Sequence, residues 1–499
     1  MRLLHDPAKT HASFDDPNLV SRAGLVPVMA LAERCGLTDL AGEHVRISAK
    51  CGVNAGLKAG CLVAGMAAGA DSIDDMDVLR HGAMADLFGG LRAPSTLGSF
   101  LRSFTWGNVR QADAVARQLL VRLAGAAPLL PGADVLAFID MDSMQKRVYG
   151  HAKQGAGFGH TKIQGKSLLV RGLNALAAII STPVAAPVIA ATRLRGGKAS
   201  SARGAASLAA EAISAAREAG CTGQIVFRID SAYYSAAVLS AIRRGGACFS
   251  VTVPMDPRIR AAIAAIPGSA WTPVTYPRAI WDEDQNRLIS DAEVAEVPYT
   301  AFTSKKGQVI TARLIVRRVK DLNRKAAGGQ DELFPVWRYH ALFTDSPFEM
   351  IQAEAQHRDH AIVEQVFADL TSGPLAHMPS GRFAANAAWL TLTAMAHNLL
   401  RAAGALASAF FSRARGTTIR RDLIDVAARI ARHGRGHITV HLPEGWHRDC
   451  EFMDLFEAAC GPPRARRPDQ PRPGHRAAQP PRPPVPTPQP KYPDRPQDR

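Results

Sequence analysis

The hydrophobic positions change period along the chain. From residue 25 to about 130 apolar side chains recur every three or four positions, and segments 25–34, 55–68, 72–79 and 112–124 each predict a helix. Between them Ser95 or Thr96 stands where a cap is expected, before a helix carrying Arg102 and, further on, Arg110. From 133 the runs shorten. Residues 135–139 are apolar, too few for a helix and rich in branched and aromatic side chains, which predicts a buried strand. Glycines make 146–160 a turn-rich hairpin, and a further strand starts at 168. Helices over 202–219 and 236–243 bracket a second short apolar run at 224–229, and 247–253 predicts another strand. Prolines punctuate 254–345, where 309–319 and 337–343 read as strands. The helical period then returns: 347–370 with one apolar stripe, 382–403 apolar nearly all round, and 418–432 amphipathic and Arg-rich. Beyond Cys460 the composition is proline and arginine, that of a disordered tail.

Acidic residues sit at the ends of these elements. The first run ends in Asp140-Met-Asp142, and residues two apart on a strand share a face. Two like charges beside an apolar core need a partner, and a hard divalent cation such as Mg²⁺ takes carboxylate oxygens. The other reading is a strand that ends in a solvated loop. The second run ends in Asp230, which suits either a ligand at a strand end or the cap of the helix that follows. The helix over 347–370 carries His357-Arg-Asp-His-Ala-Ile-Val-Glu364, with His357, His360 and Glu364 close to one helical face. A His/His/Glu zinc site is one reading, but the spacing of a zinc-protease helix is absent. The preferred one makes Glu364 a metal carboxylate and has the histidines contact phosphates or orient it. His433, His437 and His441 are separated by glycines at a strand start, which argues against a metal site there.

Charge narrows the partner. Lys and Arg exceed Asp and Glu by 60 to 44, a formal net charge of +16. The segment 461–499 holds nine basic and three acidic residues, so most of the excess lies in the folded body. A basic body points to a polyanion, nucleic acid first. Within 254–345, Arg313, Arg317, Arg318 and the pairs Lys305/Lys306 and Arg324/Lys325 alternate with Trp271, Tyr276, Trp281 and Tyr299, a pattern suited to gripping phosphates and stacking bases. Seven scattered cysteines without a Cys-x-x-Cys pair argue for a reducing compartment. The N-terminus lacks a signal-peptide core, and the most apolar window, 168–191, is broken by Arg171, Asn174, Pro183 and Pro187. A cytoplasmic, nucleoid-associated protein with no membrane contact is expected.

Three stretches carry a family resemblance: Ile139-Asp-Met-Asp-Ser143 with Tyr149-Gly150 after it, Phe227-Arg-Ile-Asp-Ser-Ala-Tyr-Tyr234, and His357-Arg-Asp-His-Ala-Ile-Val-Glu364. With the order of elements from about 20 to 445, the chain resembles the DDE transposases, and within them bacterial insertion-sequence transposases of the 1380 family. The resemblance implies an α/β fold with a ribonuclease-H-like mixed sheet flanked by helices. It implies a catalytic and metal-binding triad of Asp142, Asp230 and Glu364 holding two Mg²⁺ or Mn²⁺ ions. Asp142 is preferred to Asp140 because the family's first acid is followed by a small hydroxyl residue, here Ser143. Related transposases of a wider clan carry Tyr-x-x-Arg-x-x-x-Glu-x-x-x-x-x-x-Lys on the third element, where this chain has His357, His360, Glu364 and Thr371; Arg358 is a substitute for one lost cation.

The expected organisation is a helical N-terminal region over 1–130 with a possible role in binding DNA ends, and a ribonuclease-H-like core in two parts, 131–255 and 346–445. A β-rich insertion over 256–345 separates them, and 446–499 ends in the disordered tail. The implied activity is metal-dependent cleavage at transposon ends followed by strand transfer into target DNA. The implied partners are double-stranded DNA, as terminal inverted repeats and target, and a second copy of the chain when DNA is bound. A nuclease or resolvase without strand transfer, or a non-catalytic DNA-binding protein, are the alternatives.

Overall fold

The computed structural model describes residues 1–461 apart from 2, 49, 151, 164–165, 275–280, 283–286, 289–291, 305–306 and 321–336. The proline- and arginine-rich tail lies outside the described residues, as do Lys305, Lys306, Arg324, Lys325 and Tyr276.

Among the described residues ten strands form one mixed sheet. They are β1 (Leu136–Arg147), β2 (Gly157–Ile163), β3 (Lys166–Thr182), β4 (Ala185–Gly196), β5 (Gln224–Ile229), β6 (Cys248–Thr252), β7 (Thr272–Val274), β8 (Ala292–Ala301), β9 (Ile310–Lys320) and β10 (Trp337–Thr344). Their order is β2-β3-β1-β5-β6-β10-β9-β8-β7, with β4 also paired to β3. The pairs β1·β5 and β5·β6 are parallel, and every other pair is antiparallel. The proline-punctuated segment therefore extends the sheet: β10 pairs with β6.

The helices over the N-terminal part are α1 (Leu25–Arg34), α2 (Leu37–His44), α3 (Ala55–Ala67), α4 (Pro94–Arg102) and α5 (Trp106–Ala126). Between the strands run α6 (Ala205–Glu218) and α7 (Ala236–Arg244), then α8 (Met350–Arg358), α9 (Ile362–Thr371), α10 (Phe383–Ala407) and α11 (Asp449–Cys460). Residues Ala385–Gly404 of α10 are all buried, as its lack of a polar face requires, and it packs against α3, α5, α11 and β4. No described helix is long and apolar enough to cross a membrane. All seven cysteines are free thiols.

Several expectations fail locally. The helix expected over 72–79 is a 3₁₀ stretch, Asp74–Arg80. Ala93, not Ser95 or Thr96, precedes α4, with Pro94 at its first position, where the missing N–H has no helical partner to lose. Arg110 lies on α5, tied to Asp113 and Glu211. The helix expected over 418–432 is a short turn at Gly416–Ile419, a π turn at Arg420–Ile424, and then a strand, Ala428–Arg432. That strand pairs with Leu19–Val20 and with Ile438–His441, so backbone pairing across the whole chain length overrides a helical pattern. The helix expected over 347–370 is broken by a 3₁₀ turn, Asp359–Ala361, between α8 and α9.

Candidate active site

The strand registers assemble one polar row on one face of the sheet. Asp140 of β1 lies beside Arg228 of β5, which lies beside Ser250 of β6. Two residues further on come Asp142, Asp230 and Thr252, on the same face by the strand period. The segment from α8 to α9 covers that row, and each of its motif residues has a definite address.

The row is bound together by a buried ion cluster. Arg228 clamps Asp140 with two bonds, Nε to Oδ1 at 2.7 Å and Nη2 to Oδ2 at 2.6 Å. Asp140 is 0% and Arg228 2% exposed, so each charge is tolerable only because of the other. Arg228 Nη1 also donates 2.8 Å to the Gln356 carbonyl on α8, and its guanidinium lies 4.0 Å from the Phe138 ring centre. His360 Nδ1 is 3.0 Å from Asp140 Oδ1. One cluster thus ties β1, β5 and the α8–α9 segment together. Asp140 is two residues before Asp142, Arg228 two before Asp230, and His360 four before Glu364.

Both histidines of the motif are held by groups of the protein itself. His357 is wedged beneath α8, with Nδ1 2.9 Å from Ser250 Oγ and Nε2 2.9 Å from Thr252 Oγ1. Burial, and then the charges of His360, Arg228 and Arg317, push its pKa down to about 3. The ring is neutral and fully occupied by two hydroxyls. His360 is spent on Asp140. The two rings stack at 6.4 Å, and the 3₁₀ turn rather than a helical stripe sets their spacing. Arg358, expected to stand in for a DNA-contacting cation, donates its Nε 3.0 Å to Glu354, a buried carboxylate that also binds Arg317. A His357 pKa far below the unfolded value makes the native state lose stability as pH falls below 6.5, by up to about 1.4 kcal/mol per pH unit. His357→Gln keeps a donor and an acceptor for the two hydroxyls and is expected to flatten that acid limb. Urea unfolding at pH 5 and pH 7 reads the difference; equal pH dependence in both proteins would mean His357 titrates normally.

The three remaining acids are left open. Asp142 Oδ1 accepts 2.6 Å from the Ser143 N–H, and Asp230 Oδ1 accepts 2.6 Å from Ala232 N–H, capping the turn Ser231–Tyr233. Glu364 stands exposed in the first turn of α9. Asp142 is half-buried, and its pKa is pushed up to about 6: burial first, with Asp230 and Glu364 adding to the rise against the Ser143 N–H and His360. The three carboxylates therefore lie within electrostatic reach of one another, although they come from β1, the end of β5 and α9. Among the described residues no lysine or arginine forms an ion pair with any of them, and no group of three or more His, Cys, Asp or Glu is placed so that it could hold a metal ion. An all-oxygen donor set with mutual repulsion and no cationic partner fits a hard divalent ion in its chemistry.

Sequence reading passed over Arg228 and the support behind Ser143. Arg195 donates to Asn174 Oδ1 at 2.9 and 2.6 Å and to three backbone carbonyls, Asn174 reaches Ser143 Oγ at 3.5 Å, and the Tyr233 hydroxyl is buried beside Ser143 and Arg195. The signal for Arg228 was present: an arginine inside an apolar strand run demands a buried acid, and Asp140 sits at the same offset from its own strand end. In the β8–β10 region the expected phosphate-gripping side chains are partnered internally. Arg313 pairs with Glu296, and Arg318 pairs with Glu293 between the Trp271 and Trp337 rings at 4.1 and 4.4 Å. Those two tryptophan faces hold an arginine, not a base.

A family model described as transposase DDE domain group 1 matches residues 4–459. None of the curated proteins matches the chain. Among solved structures, a piggyBac transposase synaptic complex with hairpin DNA is similar at 10% identity and a TM-score of 0.38, over 80% of this chain and 79% of that one.

Proposed function

This chain belongs to the transposase DDE domain group 1 family, and from that premise we propose that it cuts DNA at transposon ends and joins the freed ends to target DNA. The single observation that carries the reading is Asp142: a carboxyl raised to about 6 by burial and by two acids brought from separate elements, against the opposing pull of the Ser143 N–H and His360. Folding alone gains nothing from such a cluster. Asp142, Asp230 and Glu364 are the residues that would hold Mg²⁺ or Mn²⁺, two ions in the proposed scheme. Bound there, such ions would activate the attacking oxygen and stabilise the leaving one.

The chain's own part is to place and hold. Asp142 on β1 and Asp230 just past the end of β5 follow the last paired residues of two neighbouring parallel strands, and the Asp140–Arg228–His360 cluster fixes the segment that carries Glu364. The same site serves two in-line attacks, first by water to free a 3′-hydroxyl, then by that hydroxyl on target DNA. The mixed sheet flanked by helices supports a ribonuclease-H-like reading of the fold, and the three motif stretches support placement with insertion-sequence transposases of the 1380 family. Action as a dimer on terminal inverted repeats is part of the proposal.

The test is cleavage of a linear duplex bearing the ends of the element that encodes the chain. Nicking that leaves a 3′-hydroxyl and requires Mg²⁺ or Mn²⁺ is expected, with Asp230→Asn and Glu364→Gln each losing at least about a thousandfold. Cleavage that persists in EDTA, or in those variants, would end the reading. Cleavage without joining would favour a nuclease or resolvase.

A further inference from the structure

β3 is longer than its neighbours need. β1 pairs with Gly172–Ser181 and β4 with Leu173–Thr182, whereas Lys166–Arg171 pair only with β2 among the described residues. The β2–β3 hairpin therefore projects from the sheet as a two-stranded ribbon. The handover from β4 to β2 along β3 is made by glycines: a Cβ at Gly197 would stand 2.1 Å from the Gly172 carbonyl oxygen and 2.3 Å from that of Gly157. The close approach that launches the ribbon is thus built into the sequence.

Three features mark this ribbon. Its apolar side chains are exposed: Phe158 is 55% and Leu169 57% exposed, and Tyr149 at its base is 69% exposed. An unpartnered ribbon with such a surface invites aggregation unless something covers it. Charge is the second feature. From Ser143 to Arg171, the span that leads into and forms the ribbon, the chain has six lysines and arginines and no acidic residue. The third is orientation. The uninterrupted registers Asp142↔Ala177, Phe158↔Arg171 and His160↔Leu169 place Phe158, His160, Leu169 and Arg171 on the same face of the sheet as Asp142. On that ribbon a groove of about 400 Å³ is lined by Arg147, Tyr149, Gly150, Phe158, Leu169 and Arg171, with the Arg147 guanidinium 5.1 Å from the centre of the Tyr149 ring.

We propose that this ribbon is a DNA-contacting arm that grips the duplex flanking the scissile phosphate, an inference that rests on the reading of the carboxylate site. A polyanion is selected by the absence of acids, and apolar and aromatic groups beside arginine suit sugar and base faces. A two-stranded ribbon is also narrow enough to enter a DNA groove. Position gives the arm a reach. Arg171 and Leu169 lie six and eight residues along β3 from Ala177, the neighbour of Asp142, or roughly 20 and 26 Å at about 3.3 Å per residue. At about 3.4 Å per base pair the arm meets the duplex roughly six to eight base pairs from the cut.

Footprinting and binding with the full chain test this. The wild type should protect the backbone about six to eight base pairs to one side of the cut. Arg147→Ala should reduce the slope of log affinity against log salt by about one. Phe158→Ala combined with Leu169→Ala, both exposed and harmless to folding, should weaken binding about tenfold while the cleavage rate at saturating DNA stays that of the wild type. Unchanged affinity and slope, or no protection at that distance, overturn the proposal while leaving the catalytic reading intact. A wild-type dimer that the double variant converts to monomer, with DNA affinity unchanged, assigns the ribbon to a second copy and overturns it too. A wild-type chain that neither binds nor cuts DNA overturns the site reading and this proposal with it.

Discussion

Arg228→Met is expected to destabilise the protein by about 3–5 kcal/mol, because it strands Asp140, a fully buried carboxylate, with only His360 beside it. Urea unfolding measures the loss. The double variant Arg228→Met/Asp140→Leu should recover most of it, since a buried pair replaced by apolar groups of similar volume is often neutral. Recovery of stability should not restore cleavage. Without Asp140 and Arg228, His360 and the Gln356 carbonyl lose their anchors, and the segment leading to Glu364 is free to shift. A displacement of about 1 Å at a reacting centre can cost about a hundredfold in rate, so a stable double variant with turnover down about 10- to 100-fold is the expected result. A double variant that is both stable and fully active would show the cluster to be packing alone.

Asp142→Asn should do the opposite to stability while abolishing cleavage. A native carboxyl raised to about 6 against 3.8 when unfolded holds its proton more tightly in the folded state. Stability is then lost as pH rises from about 4 to about 6, and stays lost above it. Asparagine keeps an oxygen for the Ser143 N–H and removes the charge, so at pH 7 and without divalent ions the variant should be more stable by about 1–3 kcal/mol. Mg²⁺ or Mn²⁺ should raise the melting temperature of the wild type and leave that of the variant nearly unchanged. A variant less stable than the wild type at neutral pH would mean that Asp142 is relieved by a group of the protein itself. The Asp142 and His357 slopes have opposite signs between pH 4 and 6 and partly cancel in the wild type, so each is visible only against its own variant.

Much of the strand and helix pattern was legible because burial imposes its period on the residues that line it. The run before Asp140 and the run before Asp230 became β1 and β5, and the stretch apolar all round became the buried α10. The region over 418–432 was not legible, because its last residues pair with Leu19–Val20 near the other end of the chain. Nor was the break between α8 and α9, where contacts to the sheet, not local spacing, set the backbone.

What the sequence determined by itself was alternation: that Asp140 and Asp142 share a face at the end of one apolar run, and that Asp230 ends a second. Only the tertiary structure decided which of these charges meet. The parallel register of β1 with β5 sets Arg228 beside Asp140 and ends at Met141 and Ile229, so Asp142 and Asp230 follow just past the last paired residues. Alternation is a property of one strand, whereas register is a property of two, and one chain position of slip would have turned each of these side chains to the opposite face.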